Sequence, residues 1–374
     1  MDLALLSVRV LVVNAGSSSV KLRVLANDEE VVYSKDLPVT AGGFDEDDVA
    51  GALKQIGAVD ATGHRVVHGG ALFAGPVAVD EQVTKQLYSL TPLAPLHQPL
   101  SLAALEAVSR ALPDVPAVAC FDTAFHHTLS PAAATYAVPA EWRDAYAIRR
   151  YGFHGLSHAY AARRAAQMLE RPIESMQIVT CHLGAGASLA AVDAGRSVDT
   201  TMGFTPLEGL VMATRSGTVD PGLLLWLQQS AGLSLEEVAE ALEHRSGLKA
   251  LAGTADMRAV LAAADKGERG ARLGVDVYLH RLCAGVGAMA ASMGGLDALV
   301  FTGGVGENAP FIREQAAQRL GFLGVGIDKD ANERTTQDAV IGAAAAAVRT
   351  LVVNSREDIE IAREVRRVLA GSRA

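Results

Sequence analysis

Val8-Arg9-Val10-Leu11-Val12-Val13, Asn14-Ala15-Gly16-Ser17-Ser18-Ser19 and Val20-Lys21-Leu22 follow one another near the start of the chain, and their reading decides the fold. The first run is apolar and β-branched, the composition of a strand buried on both faces. The middle run is small and polar. Val20 and Leu22 flank Lys21 in period two, which predicts a second strand returning beside the first. A hairpin tip of this kind brings backbone N–H groups, hydroxyls and a lysine to one point, the parts that hold a phosphate. The same residues also read as an ordinary serine-rich turn, so the rest of the chain has to decide.

The pattern restarts in the second half. Gln177–Cys181 reads as a strand, His182-Leu183-Gly184-Ala185-Gly186-Ala187-Ser188 as a glycine loop, and Leu189–Val192 as a returning strand. One strand–loop–strand unit per half points to two related domains with a cleft between them. A third loop follows the apolar run Leu296–Thr302, where Gly303-Gly304-Val305-Gly306-Glu307-Asn308 leads into a helix from Pro310. Strand, glycine turn and helix start form a nucleotide-type site. It is not the dinucleotide fingerprint, and no acidic ribose partner is found by spacing.

Four side chains stand out by position. Arg65 lies in the apolar strand Thr62–His68 and calls for an anionic partner, unless that strand is an edge open to solvent. Asp122 ends the strand Val115–Phe121, where open α/β sheets place their chemistry; capping the next turn is the alternative. His154 sits in a glycine-flanked turn and reads as accessible or merely structural. Arg215, in Met212–Gly222, reads as an anion clamp or as part of a polar loop.

Bulk composition narrows the classes. The chain has 374 residues, half of them apolar, and a net charge of −9. That length suits two to three domain-sized units. An acidic balance argues against nucleic-acid or membrane-surface partners, which need basic faces. Cys120, Cys181 and Cys283 have no paired or metal-type spacing, so free buried thiols in a reducing compartment are expected. Asp2 and Arg9 do not suit a secretory leader. The apolar run Ala339–Val348 is too short to span a bilayer. A soluble cytoplasmic protein is the expectation.

Taken together these stretches resemble the acetate kinase family. The match rests on Asn14–Lys21, His64–Gly70, Pro95–Pro99, Phe121–His126, Arg150–His158, His182–Ser188, Asp199–Gly222, Gly303–Asn308 and Ser355–Glu364, nine motifs in order. The resemblance implies an α/β, two-domain, actin-like ATPase (ribonuclease H-like) fold with an interdomain nucleotide cleft. It would comprise residues 1–153 plus 357–374 and residues 154–356. The implied activity is Mg2+-dependent phosphoryl transfer between ATP and acetate, giving ADP and acetyl phosphate, with Mn2+ as a substitute ion and a homodimer as the assembly. Propionate or butyrate as acceptor, a non-transferring ATPase or binding module, and a sensor without catalysis are the rival readings.

By the same resemblance Asn14 and Glu357 are the metal-site pair, and Asp122, His154 and Arg215 the catalytic groups. Arg65, with Val67, Leu96, Phe153 and Pro206, implies the acetate site. Lys21, His182, Leu183, Gly184, Ala185 and Gly186 imply phosphate loops. Asp256, Met257 and Arg258, with Gly304, Val305, Gly306, Glu307 and Asn308, imply the adenosine side. Acetate is already ionised near neutral pH, so Asp122 is expected to orient an arginine or a metal-bound water instead of moving a proton. Three features depart from the family pattern. Ala185 replaces a usual Asn, Thr218 stands where Asp is common, and the chain is compact at 25–63 and 330–352.

Overall fold

The computed structural model describes residues 8–16, 19–26, 29–40 and 43–371. Ser17 and Ser18 of the first loop, and Asp2, lie outside the described residues. The chain divides into two compact units, Met1–His127 with Arg356–Ala374, and Thr128–Ser355.

In the first unit the opening hairpin forms as its alternation predicts. Strand β1 (Val10–Ala15) pairs antiparallel with β2 (Ser19–Leu25), placing Asn14 opposite Lys21. β2 pairs antiparallel with β3 (Val31–Pro38). On its other side β1 runs parallel to β4 (Ala61–Val66), which runs parallel to β6 (Ala117–Phe121). The two-residue β5 (Val77–Ala78) closes the order β3-β2-β1-β4-β6-β5. β4 is thus an interior strand, which removes the solvent-edge reading of Arg65. The helix Glu357–Gly371 packs over β1, β4 and β6. Gly63 makes that approach possible: a Cβ there would lie 2.6 Å from Ile361 and Val365 methyls.

The second unit repeats the plan. β7 (Gln177–Leu183), β8 (Ala187–Asp193) and β9 (Arg196–Thr200) form an antiparallel meander. β10 (Ala298–Thr302) runs parallel to β7 and to β12 (Arg349–Val352), and β11 (Ala339–Val340) closes the edge. The order β9-β8-β7-β10-β12-β11 is that of the first sheet with identical strand senses. The duplication anticipated from two glycine- and serine-rich hairpins is therefore a duplication of topology. The polar edge strand β9 lacks a strong β pattern and was not anticipated.

Long helix Arg269–Met293 buries Ala271, Val275, Tyr278, Leu279, Leu282, Val286 and Met289 along one stripe, the i, i+3, i+4, i+7 rule of a core-facing helix. Residues 128–153, assigned to the first domain from sequence, fall with the second unit. Thr128 Oγ1 donates to Ser197 O (2.7 Å), Tyr151 N to Gly203 O (3.0 Å) and Arg150 Nη1 to Met202 O (3.0 Å). Such long-range ties carry no periodicity and cannot be read from spacing.

Candidate active site

In the first unit, four predicted side chains gather at the C-terminal ends of parallel strands. Asn14 is near the end of β1, Arg65 near the end of β4, Asp122 just beyond β6, and Glu357 opens the last helix. Arg65 Nε and Nη2 donate to the two Asp122 oxygens at 2.8 and 2.6 Å, a bidentate pair. Arg65 Nη1 donates to Asn14 Oδ1 (3.2 Å), and Asn14 Nδ2 donates to Glu357 Oε2 (2.7 Å). Arg65 Nε is also 3.9 Å from Glu357 Oε2. Burial works to lower the Arg65 pKa, but attraction to Asp122 and Glu357 outweighs it and the net shift is upward. The guanidinium is a fixed cation across the physiological range. Asp122 is 1% exposed. Its two oxygens hold the Arg65 guanidinium.

Lys21 lies opposite Asn14 on β2 and is exposed. Val67 is buried at 6% and Leu96 is exposed at 56%.

The second unit builds its cluster from imidazoles. His154 takes a left-handed backbone (φ 57°, ψ 23°) as the residue before helix Gly155–Met168. That conformation is uncommon outside glycine and is held only where the surroundings fix it. Its ring stacks on His182 of β7, with centroids 4.3 Å apart. His154 Nδ1 lies 2.9 Å from Ser188 Oγ, and His182 Nδ1 lies 2.8 Å from Ser157 Oγ. At the glycine turn, a Cβ on Gly186 would sit 3.2 Å from His154 Cε1 and Nε2 and 3.6 Å from Arg215 Nη1. Glycine therefore lets the loop backbone approach both groups. Arg215 Nη1 donates to Pro206 O (3.2 Å) and its Nε is 3.4 Å from Glu243. Burial lowers the Arg215 pKa and Glu243 counters it.

The loop that carries Pro206 has its own clamp. Tyr136 Oη donates to Glu208 in a very short bond, Arg150 Nη2 donates to Glu208 Oε1 (2.8 Å), and Phe204 N donates to Tyr136 Oη (3.0 Å). A Cβ at Gly203 would collide with Glu208 and with the Tyr136 hydroxyl. Phe153 is fully packed at 1% exposure. Thr218, at the position of the family's common Asp, accepts from Gly209 N through Oγ1 (3.0 Å), so it closes its loop by a neutral bond. Ala185 is exposed, and its carbonyl accepts from Ala213 N (3.1 Å).

On the expected adenosine side, helix Gly303–Asn308 begins straight after β10. Glu307 turns inward: Oε1 accepts from Gly303 N (2.9 Å) and Ser355 N (2.8 Å), and Oε2 from Asn354 Nδ2 (3.0 Å). Its carboxylate braces the turn instead of facing solvent. Gly304 and Asn308 are exposed, Val305 is half-buried and Gly306 is buried. Asp256 caps helix Met257–Asp265 and pairs with exposed Arg258 (2.8 Å), while Met257 is buried at 5%.

A profile of the acetokinase family matches residues 44–363. The chain belongs to the acetokinase family. It is 46% identical to the acetate kinase of Deinococcus deserti, in an alignment covering 96% of this chain and 98% of that one. Its structure superposes on Porphyromonas gingivalis acetate kinase with a TM-score of 0.89 at 35% identity, covering 97% and 100% of the two chains. A propionate kinase from Francisella tularensis matches with a TM-score of 0.88 at 34% identity, covering 96% and 98%. The fold is accordingly the two-unit α/β, actin-like fold of this family, whose members use ATP with a divalent metal.

A hard divalent cation fits the first unit's donor set. Asn14 Nδ2 donates to Glu357 Oε2 (2.7 Å), which keeps the amide oxygen Oδ1 and the carboxylate, two hard oxygen donors, on neighbouring side chains. Among the described residues, no three His, Cys, Asp or Glu side chains form a metal cage. Magnesium-type ions need few protein oxygens, because water and phosphate complete their shell. Sequence reasoning read Ser157 only as a helix cap, a place His154 takes, and gave no role to Ser188, His158, Glu208 or Tyr136. Partners 22 to 72 residues apart leave no local signal.

Proposed function

We propose that this chain catalyses reversible phosphoryl transfer between ATP and acetate, yielding ADP and acetyl phosphate. The observation that carries the reading is the Asn14–Arg65–Asp122–Glu357 constellation, in which a doubly anchored guanidinium presents a fixed cation beside the Asn14 amide and the Glu357 carboxylate. Transfer forms a bond from an acetate oxygen to the γ-phosphorus and breaks the bond from that phosphorus to the β-bridging oxygen. Such transfer asks for positioning and charge dispersal more than for a base. Arg65 would orient the acetate carboxylate, with Asp122 fixing its plane. Arg215 and His154 would meet phosphoryl oxygens, and the Gly184–Gly186 backbone would lie along the phosphates. Asn14 and Glu357 would hold Mg2+, or Mn2+ in its place. Bound there, the ion supplies neutralising charge to the phosphates.

Val67, Leu96, Phe153 and Pro206 are the residues assigned to the acyl methyl. The likeness to a propionate kinase makes propionate the second reading, since one methylene discriminates by only about 1–3 kcal/mol. We also infer a homodimer. Leu223, Leu225, Trp226 and Leu235 are 44–66% exposed on neighbouring short helices, a concentration of apolar surface that a second copy would cover. Buried free thiols at Cys120 and Cys181 suit a cytoplasmic setting, the net charge of −9 suits partners other than nucleic acid, and among the described residues no helix is long and apolar enough to cross a membrane.

The test is hydroxylamine trapping of the acyl phosphate with acetate, propionate, butyrate and no acid, with and without a chelator. Acetyl hydroxamate should form with acetate and vanish on chelation. ATP hydrolysis without any acyl hydroxamate would sink the reading.

A further inference from the structure

The Pro206 loop is stapled at a single hydroxyl. Tyr136 Oη accepts from Phe204 N (3.0 Å) and donates to Glu208 Oε2 in a very short bond. Residues 204 and 208 are thus tied to the same oxygen, and Pro206 stands midway between them. The directions of these bonds are forced. A backbone N–H and a guanidinium only donate, and a carboxylate only accepts. Phe204 N therefore gives its proton to Tyr136 Oη, Arg150 Nη2 gives one to Glu208 Oε1 (2.8 Å), and the hydroxyl proton is left for Glu208 Oε2. Burial, and next the bond to Glu208, raise the Tyr136 pKa, so the phenol keeps that proton.

The main chain on either side is held as closely. Ahead of the staple, Arg150 Nη1 donates to Thr201 O (3.3 Å) and Met202 O (3.0 Å), and Tyr151 N and Gly152 N donate to Gly203 O (3.0 and 3.3 Å). The Arg150 guanidinium also lies over the Tyr136 ring, 5.4 Å from its centroid, so one cation packs the phenol and pairs with the carboxylate. Beyond the staple, Gly209 N donates to Thr218 Oγ1 and Thr218 N to Gly209 O, both at 3.0 Å. Between these ties the Pro206 carbonyl accepts from Arg215 Nη1 (3.2 Å). The proline ring fixes its own φ as well. Pro206 has no room to retreat, and a pocket wall discriminates one methylene only if it does not give way.

We propose that Tyr136 and Glu208 are positioning residues that hold Pro206 as an unyielding wall of the acyl site, so that acceptor size is read against this staple. This rests on the assignment of Pro206 to the acyl methyl.

Hydrogen exchange followed by mass spectrometry on the full-length protein reads the staple without turnover. Tyr136→Phe removes one oxygen and should quicken exchange in the segment 203–209 at least ~tenfold, while β7 and β8 keep their protection. Turnover reads the wall. In the same variant KM for acetate should rise roughly fivefold, KM for ATP should stay within about twofold, and the acetate-to-propionate ratio of kcat/KM should fall at least ~threefold. Glu208→Gln keeps the shape but gives Arg150 a neutral partner. It should move the same ratio by less, and it carries the test if Tyr136→Phe fails to fold. Unchanged exchange overturns the staple. Quickened exchange with an unchanged acid ratio, or equal losses towards ATP and both acids, overturns the role in acceptor size, since a merely structural tie would give those results. A parent enzyme that forms no acyl phosphate ends the functional reading and the acceptor-size role with it, while the exchange result still decides the staple.

Discussion

The two sheets share one strand order, yet the hairpins that open them are chemically unlike. Beside β1 the groups are an amide, two carboxylates and an arginine, joined by charge-assisted bonds down to 2.6 Å. Beside β7 and β8 they are three histidines and a set of hydroxyls, joined by bonds whose direction depends on where protons sit. The first arrangement is fixed by charge. The second depends on where those protons sit. A duplicated scaffold has thus been given one ionic and one protonic hairpin, and the difference can be broken from either side.

The largest effect is expected at the ionic hairpin. Arg65→Ala leaves Asp122 buried without its bidentate partner, so we expect activity to fall at least ~100-fold and stability by about 3 kcal/mol. Steady-state kinetics and urea unfolding measure both. A mild kinetic defect would mean that the arginine only packs the strand ends. Asp122→Asn comes next, with kcat lowered by roughly 100-fold and the shape of the pH–rate profile retained. Loss of an acidic limb in that variant would reveal a proton acceptor and end the view of Asp122 as an orienting group.

The first unit also holds a carboxyl whose pKa is shifted into the neutral range. Glu364, on the last helix, is pushed up to about 7 by burial and then by Glu360 one turn before it. Its Oε2 has no hydrogen-bond partner among the described residues. A carboxyl with a raised folded pKa keeps more protons folded than unfolded. Its favourable state is therefore present below about pH 4.5 and is lost as pH rises through about 7. Glu364→Gln should match the parent near the acid end and exceed it by roughly 2 kcal/mol above neutrality. Thermal melts across pH would show the two curves diverging. Parallel curves would place the pKa elsewhere.

The smallest effect concerns the second glycine loop. Ala185→Asn adds a side-chain amide at an exposed loop position, which should lower the KM for ATP by a few fold, about one hydrogen bond at most. An unchanged KM would show that the backbone of Gly184–Gly186 suffices for phosphate.

Much of this was legible in the chain. Buried strands with small polar loops announced both hairpins, because alternation and β-branching are local signals. Arg65, Asp122, Asn14 and Glu357 were found by chain position and family motif, and the structure draws the four together. What stayed hidden depends on distant pairing. Nothing in Ser188 itself says that it faces two histidines, since their side chains come from a helix some 30 residues earlier. Family resemblance sets Glu307 on the adenosine side, and nothing local announces what its carboxylate holds. Its three backbone and amide partners include 354 and 355, nearly 50 residues on. The stretch 128–153 likewise gives no sign of its unit until Arg150 meets the carbonyls of Thr201 and Met202.

Gly203 has a further consequence for how this enzyme family can diverge. The space a side chain would need there is already taken by Glu208 and the Tyr136 hydroxyl, which together fasten the base of the Pro206 loop. In a saturation library, position 203 should tolerate almost no replacement while Pro206 accepts several. New acid specificities would then arise by exchange of tip residues on an unchanging base, and lineages would drift in what they accept without relearning how to hold the loop.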